Sequence, residues 1–266
     1  MASKYFTTEI KPIITPVTAG LTTAFSDNDV LFDWTPFQIP RGGGRLIGAH
    51  VEIRPKGDTG ATPNKFPLEL LFARHNTNAI NIDLKYDGPG GIGAINTAPA
   101  NLANIERVVD HYVGQVPFIA ADFAESIDPI AIASTSDTNG IVLQNHQNYY
   151  NRGNIGEGTS GDSRFYVAGI AGGAFAFTST CLIDNGDLDG PTMTVKDVDP
   201  RLFITPGDTV AVATTANTAI TKAMGVVASL TDTTIVLTEA FTTADVVNED
   251  IVYNTSPIRI LLTFEV

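Results

Sequence analysis

Alternation of apolar and polar residues is the dominant pattern along this chain, and it predicts β-strands. The clearest case is the stretch 258–266, where Ile258, Ile260, Leu262 and Phe264 fall on one face and the intervening residues on the other. A period of two indicates a strand that is buried on one side. We expect this strand to occupy a paired, interior position in a sheet, with those four side chains pointing inward.

Further strands are predicted by similar patterns at 46–54, 66–74 and 80–86, and later at 105–113, 130–133, 140–143, 165–170 and 174–182. Turn sequences rich in Gly, Pro, Asn and Asp separate them. Helical periodicity is nearly absent, and the best helical candidate is the short stretch 99–107, with Pro99 at a suitable first position. Many short strands with glycine-rich turns indicate a β-sandwich, jelly roll or barrel. We predict an all-β protein whose main body is a jelly-roll-like antiparallel β-sandwich.

Residues 200–254 have the pattern of a separate unit. A Pro-Gly turn precedes a strand that starts at Thr209, and three or four more short strands follow, as in a small SH3-like β-barrel. Because the strand after Pro257 must pair with something earlier, this barrel is expected to be an insertion in a loop of the sandwich. With the barrel as an insertion, the sandwich comprises residues 21–199 and 255–266. The alternative is that 200–254 simply continues one large sheet.

The first twenty residues are expected to form an extended arm. Pro12 and Pro16 lack the backbone N–H that continuous ladder pairing requires. An arm at 1–20 that lies along a neighbouring molecule would give an assembly protein additional contact area.

Composition narrows the classes of partner. The net charge is −13, from 16 basic and 29 acidic residues, which argues against a nucleic-acid partner because phosphate binding needs concentrated Lys and Arg. A single cysteine, Cys181, excludes an intrachain disulfide and a cysteine-based zinc site. No apolar run approaches the roughly 20 residues that span a bilayer, and the N-terminus lacks a signal-peptide pattern. We therefore expect a soluble product made in a cytoplasm.

Residues 84–94 contain the spacing G-x-G-x-x-G at Gly88, Gly90 and Gly93. A dinucleotide-binding fingerprint needs a buried parallel strand before the glycines and a helix that begins on them. The preceding stretch alternates in polarity instead, and the following AINTAPAN does not propagate a helix. We interpret the motif as a glycine-rich loop between strands and expect no cofactor.

The loop NGDLDG at 185–190 resembles the beginning of a calcium-binding loop, with Asn185, Asp187 and Asp189 alternating before a glycine. That pattern requires a Glu six residues after the glycine, and this chain has Lys196 there. The three residues are a weak cation-site candidate, and an acidic surface turn is the favoured interpretation.

Catalytic signatures are sparse. The four histidines, His50, His75, His111 and His146, form no paired metal motif, and no G-x-S-x-G nucleophile elbow is present. A Ser-His-Asp triad leaves no trace in sequence because its members meet only in space. We expect no enzymatic activity.

The run FDWTPFQIPRGGGRLIGAHVEIRPKGD at 32–58 and the strand FPLELLFAR at 66–74 resemble virion structural proteins of marine tailed phages. The resemblance covers about the first ninety residues and assigns no functional residue. It implies a capsid decoration (cement) protein that binds the major capsid protein or another virion component, located in the virion and assembled as a homo-oligomer, with a trimer favoured. The alternative is a tail, neck, baseplate or fibre protein with a host-recognition or carbohydrate-binding role. Exposed aromatic side chains would favour that alternative, and Tyr149 and Tyr150 are the plausible pair, whereas Trp34 lies in an apolar run and is expected in the core.

Charge is distributed unevenly along the chain. Residues 41–85 carry seven basic and four acidic side chains, whereas residues 181–253 carry three basic and eleven acidic ones. Capsid exteriors are frequently acidic, and interfacial charge mostly sets orientation and encounter rate. We therefore expect the basic half of the molecule, which contains residues 41–85, to face the particle and the acidic barrel to face solvent. Arg41, Arg45 and Arg54 are the candidate docking residues. The alternative is that these charges only solvate the free surface.

Overall fold

A computed structural model describes residues 4–14, 24–39, 43–74, 92, 94–99, 112–127, 129–144, 164–184, 190–213, 221–240 and 246–266. Within these ranges the chain is all-β, with two 3-10 turns and no α-helix. The strands are β1 (Tyr5–Ile10), β2 (Val30–Gln38), β3 (Gly43–Ile53), β4 (Leu68–Arg74), β5 (Tyr112–Phe118), β6 (Ala124–Ile127), β7 (Ile130–Thr135), β8 (Val142–Gln144), β9 (Arg164–Ala171), β10 (Leu182–Ile183), β11 (Thr192–Lys196), β12 (Thr209–Ala213), β13 (Thr221–Leu230), β14 (Thr234–Leu237), β15 (Ile251–Asn254) and β16 (Ile258–Glu265).

Two antiparallel sheets form the main body. The first has the order β1-β16-β3-β7-β6, with β8 also paired to β3, and the second has the order β2-β9-β4-β5. One apolar cluster includes buried side chains from both sheets, among them Phe37, Phe72 and Phe264. The prediction of an all-β protein with antiparallel sheets is therefore confirmed.

Strand β16 lies in the interior of the first sheet, between β1 and β3. Its inward side chains, Ile258, Ile260, Leu262 and Phe264, are all fully buried. Both the interior position and the inward face agree with the sequence-based prediction, because this strand is covered by the core on one side only and so keeps a strict alternation.

Strand β2 was not predicted as a strand, because it does not alternate. Phe32 and Phe37 pack in the core between the sheets, whereas Val30 and Trp34 pack in a second apolar cluster that also contains Ile92. Two register shifts in its pairing with β9 accompany this change of face. Trp34 is only 4% exposed, as its apolar surroundings in the sequence indicated.

The predicted N-terminal arm is wrong for the part of it that the structure describes. Residues Tyr5–Ile10 form β1 and pair with β16 of the same chain in a continuous antiparallel register. Ile10 and Ile14 are buried in the sandwich core, and Pro12 is buried as well. The prolines lie after the strand rather than within it, so they do not interrupt the ladder. Residues 1–3 and 15–20 of the predicted arm lie outside the described residues.

A closed six-stranded barrel, in the order β10-β11-β14-β13-β12-β15, lies between β9 and β16 in the sequence. It encloses its own apolar core, in which Cys181, Met193, Ile235 and Val252 are buried. The predicted boundary at residue 200 is too late, because β10 and β11 precede it and belong to the barrel. These two short strands were assigned to the sandwich because nothing in their local pattern separates them from it.

The barrel is in contact with the sandwich through both apolar and polar groups. Ala213 and Tyr253, from β12 and β15, pack in the sandwich core. Asp208, which is 1% exposed, accepts a hydrogen bond from Lys11 Nζ at 2.9 Å. The predicted strand at 80–86 and most of the predicted helix at 99–107 lie outside the described residues.

Candidate binding surface on the outer face of the first sheet

Five polar side chains from four strands meet on the outer face of the first sheet, and we call them the polar ladder: Glu9, Arg259, Glu52, His50 and Ser134. The register of the strands brings them together. Arg259 of β16 is paired with Glu52 of β3, and His50 of β3 is paired with Ser134 of β7. All five occupy polar positions of alternating strands, so they point away from the core.

Hydrogen bonds run through the ladder without a gap. Arg259 donates from Nη2 to Glu9 Oε2 at 2.7 Å, and from Nη1 to the two carboxylate oxygens of Glu52 at 3.1 and 3.2 Å. His50 Nε2 lies 3.1 Å from Glu52 Oε1, and His50 Nδ1 lies 2.7 Å from Ser134 Oγ. Each charge of the polar ladder therefore has a partner on a neighbouring strand.

The surroundings of the ladder keep Glu52 ionised. Burial opposes its charge, but hydrogen bonds from His50 and Arg259 together outweigh that effect and lower the pKa of Glu52. The pKa of Arg259 is raised, chiefly by its hydrogen bond to Glu9. The ladder is thus a set of charges that compensate each other across neighbouring strands.

Ser134, His50 and Glu52 are the residue types of a catalytic triad, but their arrangement differs from one. In a working triad the serine contacts Nε2 and the carboxylate contacts Nδ1, whereas here the two nitrogens are exchanged. Glu52 is also neutralised by Arg259. Strand β3 is paired on both sides, by β16 and β7, so its backbone N–H groups are committed to the sheet rather than aimed at an oxyanion. The geometry favours electrostatic pairing between strands.

The candidate docking residues are placed in different surroundings. Arg45 is exposed on β3, next to buried Leu46, and alternation puts it on the outer face of the sheet that carries the ladder. Arg54 lies just after β3 and donates from Nη2 to Thr205 Oγ1 at 3.0 Å, which directs it toward the barrel. Arg41 lies outside the described residues. Of the two that are described, Arg45 is the one whose exposure suits an external partner.

Several other candidate residues lie outside the described part of the chain. These are the possible cation ligands Asn185, Asp187 and Asp189, the glycines Gly88, Gly90 and Gly93, the histidines His75, His111 and His146, and the aromatic pair Tyr149 and Tyr150. Among the residues that are described, no group of three or more His, Cys, Asp or Glu side chains could hold a metal ion. No helix in those ranges has the length and apolar character needed to cross a membrane.

Comparisons with known proteins identify no relative of this chain. No protein-family model matches the chain, and neither a curated protein nor a solved structure matches it.

Proposed function

We propose that this protein is a virion structural protein, a decoration (cement) protein that binds the outer surface of a phage head and stabilises it. The observation that carries the proposal is the strand order of the sandwich. With β6 and β8 left out, and with β1, β2, β3, β4, β5, β7, β9 and β16 numbered 1 to 8, the sheets have the orders 1-8-3-6 and 2-7-4-5. That interleaving supports the assignment to the jelly rolls, a fold frequent in viral capsid proteins and lectins.

The inserted barrel supports the same proposal. Its short antiparallel strands close around one apolar core, and we assign it to the SH3-like class of small barrels. A closed barrel has no free strand edge, so it adds surface to the sandwich without offering a site for uncontrolled pairing. Its acidic surface suits a solvent-facing position, whereas the outer face of the first sheet, with Arg45, suits contact with the particle.

The first experiment measures where the protein is located in purified particles. Quantitative mass spectrometry of the virion should find this chain in hundreds of copies, in a fixed ratio to the major capsid protein. A handful of copies per particle would overturn the decoration proposal in favour of the alternative, a tail, neck, baseplate or fibre component.

A second experiment tests the docking face. Particles that lack this protein are mixed with the wild type or with Arg45→Glu at low salt, where exposed charges are least screened. We expect Arg45→Glu to reduce the association rate by roughly 3- to 10-fold, because rim charges act mainly on encounter. Arg201→Glu makes the same charge change on the exposed surface of the barrel and should bind like the wild type. Equal rates for both variants would exclude the outer face of the first sheet as the docking surface.

A further inference from the structure

The open edges of the two sheets are protected to different extents against pairing with a strand of another chain. At the margins of the second sheet, β2 contains Pro36 and two register shifts, and β5 contains Pro117 and one shift against β4. In the first sheet, β6 has four residues with one register shift, and β8 has three residues. Proline, bulges and short length are three of the features that prevent an edge strand from pairing with another chain, and charged side chains such as Glu9 are a fourth. Within the described part of the chain, β1 is the open edge that has no proline, no register shift and more than four residues, and Glu9 is its one charged side chain.

Strand β1 presents a regular set of free backbone groups. Val266 N donates to Lys4 O at 2.8 Å, so Lys4 and every second residue after it direct their backbone groups toward β16. Tyr5, Thr7 and Glu9 therefore direct their N–H and C=O groups away from the sheet. Their side chains are exposed on its outer face, and Tyr5, at 68%, is the most exposed large hydrophobic side chain among the described residues.

This edge is complementary to itself. When two copies of β1 pair antiparallel about a two-fold axis at Thr7, Thr7 lies opposite Thr7, and Tyr5 lies opposite Glu9 of the other copy. Three pairs of outward-facing residues then exchange about six hydrogen bonds. The two Glu9 carboxylates are separated by four residues along the strand, about 14 Å. A register centred on Glu9 would place these like charges directly opposite each other, which is destabilising.

We infer that β1 is a dimerisation edge, at which a second copy of this chain adds its own β1 and joins the two first sheets into one continuous sheet. The outward backbone groups of Tyr5, Thr7 and Glu9 match those of a second copy, and charge selects the register, because the Thr7-centred pairing keeps the Glu9 side chains apart. The inference is independent of the virion proposal, since it rests on the edge of the sheet and not on the docking face.

Disulfide trapping tests the register directly. In Thr7→Cys, the two new thiols lie opposite each other with Cα atoms about 5.5 Å apart, within the range that a disulfide spans. The native Cys181 is buried and does not compete. Mild oxidation should convert Thr7→Cys to a covalent dimer on non-reducing gels. Glu9→Cys is the matched control, because its thiols are about 14 Å apart in this register, and it should cross-link at least about tenfold more slowly.

Sedimentation of the wild type and of Thr7→Pro provides the second measurement. Proline removes the outward N–H of Thr7 and leaves the hydrogen bonds to β16 intact, so folded Thr7→Pro should sediment as a monomer. The wild type and the control Thr7→Ala should sediment as dimers. A circular dichroism spectrum like that of the wild type verifies that Thr7→Pro is folded. Equal cross-linking of Thr7→Cys and Glu9→Cys would overturn the inference, as would an oligomer that persists in folded Thr7→Pro.

Discussion

Glu52 is the residue that joins the two halves of the polar ladder. Arg259 contacts both of its carboxylate oxygens, and His50 Nε2 contacts one of them, Oε1. The Glu52 side chain is 16% exposed, so the charge is partly shielded from water and depends on these partners. Its lowered pKa shows that the partners stabilise the ionised form more than burial destabilises it.

The pH dependence of stability follows from the direction of that shift. A carboxyl whose pKa is lowered on folding contributes stability above its ordinary pKa, and this contribution is lost as the pH falls through the folded-state value. The free energy of unfolding of the wild type should therefore fall more steeply between about pH 5.5 and pH 3 than that of Glu52→Gln. Urea denaturation at both pH values measures the difference. Glu239→Gln, which removes an exposed carboxyl, is the control, and parallel curves for wild type and Glu52→Gln would contradict the prediction.

The polar ladder shows a limit of sequence analysis at the residue scale. Alternation along β3 and β16 correctly marks His50, Glu52 and Arg259 as outward positions. It does not reveal that they meet, because strand register is set by pairing between segments about 200 residues apart. Ser134 and Glu9 were missed for the same reason. A triad-like grouping of Ser, His and Glu arises here from cross-strand neighbours, which no spacing motif records.

Cys181, which precedes β10, is an internal probe of the barrel. Burial raises the pKa of its thiol to about 12, and the nearby charges of Asp197 and Asp199 add to that effect. Because the thiolate is the reactive form, labelling of the native protein at neutral pH should require the barrel to open. Labelling kinetics therefore report the local stability of the barrel separately from that of the sandwich.

Ile235→Ala should accelerate labelling of Cys181 by a thiol reagent by at least about tenfold. Ile235, on β14, is fully buried in the barrel core, and truncation of such a side chain costs about 2–5 kcal/mol. The adjacent Val236 is half-buried and lies on the other face of the same strand, so Val236→Ala is the matched control with a small expected change. Similar rates for the two variants would show that the thiol is labelled without opening of the barrel.

Strands with one face in the core and one face in solvent were predicted well from the sequence. Strand β2, which is buried on both faces, and the edge strand β1 were not. Strand β16, and β3 from Gly48 onward, alternate because one side faces the core and the other faces water, whereas a register shift at residues 46–48 of β3 interrupts the pattern. Strand β2 contacts apolar groups on both sides, so its sequence resembles an unpatterned apolar run. Strand β1 was interpreted as an arm because Pro12 follows it closely, although Phe6, Thr8 and Ile10 show the inward positions of an edge strand.

At the scale of the whole molecule, Asp208 holds the barrel against the sandwich. Its Oδ2 accepts hydrogen bonds from Thr205 N, Thr205 Oγ1 and Asn254 Nδ2 within the barrel, while Oδ1 accepts from Lys11 of the sandwich. A buried carboxylate with this many donors is stabilising only while the donors remain in place. The two units should consequently unfold in one transition.

Asp208→Asn should weaken this coupling and lower the free energy of unfolding by about 2–4 kcal/mol, because it removes the charge opposite Lys11 and turns an amide N–H₂ toward other donors. Scanning calorimetry should show one transition for the wild type, and a lower Tm with a separately resolved second transition for Asp208→Asn. Asp232→Asn, at an exposed barrel position, should behave like the wild type. A single unshifted transition in Asp208→Asn would mean that apolar contacts suffice to hold the units together.

The barrel also affects the order in which the fold can form. All its strand pairs join residues between 182 and 254, whereas β16 must find β1 and β3 across roughly 200 residues or more. The first and last barrel strands are neighbours, and Val252 N donates to Cys181 O at 2.9 Å. Once the barrel has folded, its two ends are adjacent, and about 70 residues no longer add to the loop that β16 must close, so the remaining entropy cost of that loop is smaller. The end of β9 and the beginning of β16 are then joined by a shorter effective connection, so we expect the folded barrel to speed the insertion of β16 between β1 and β3.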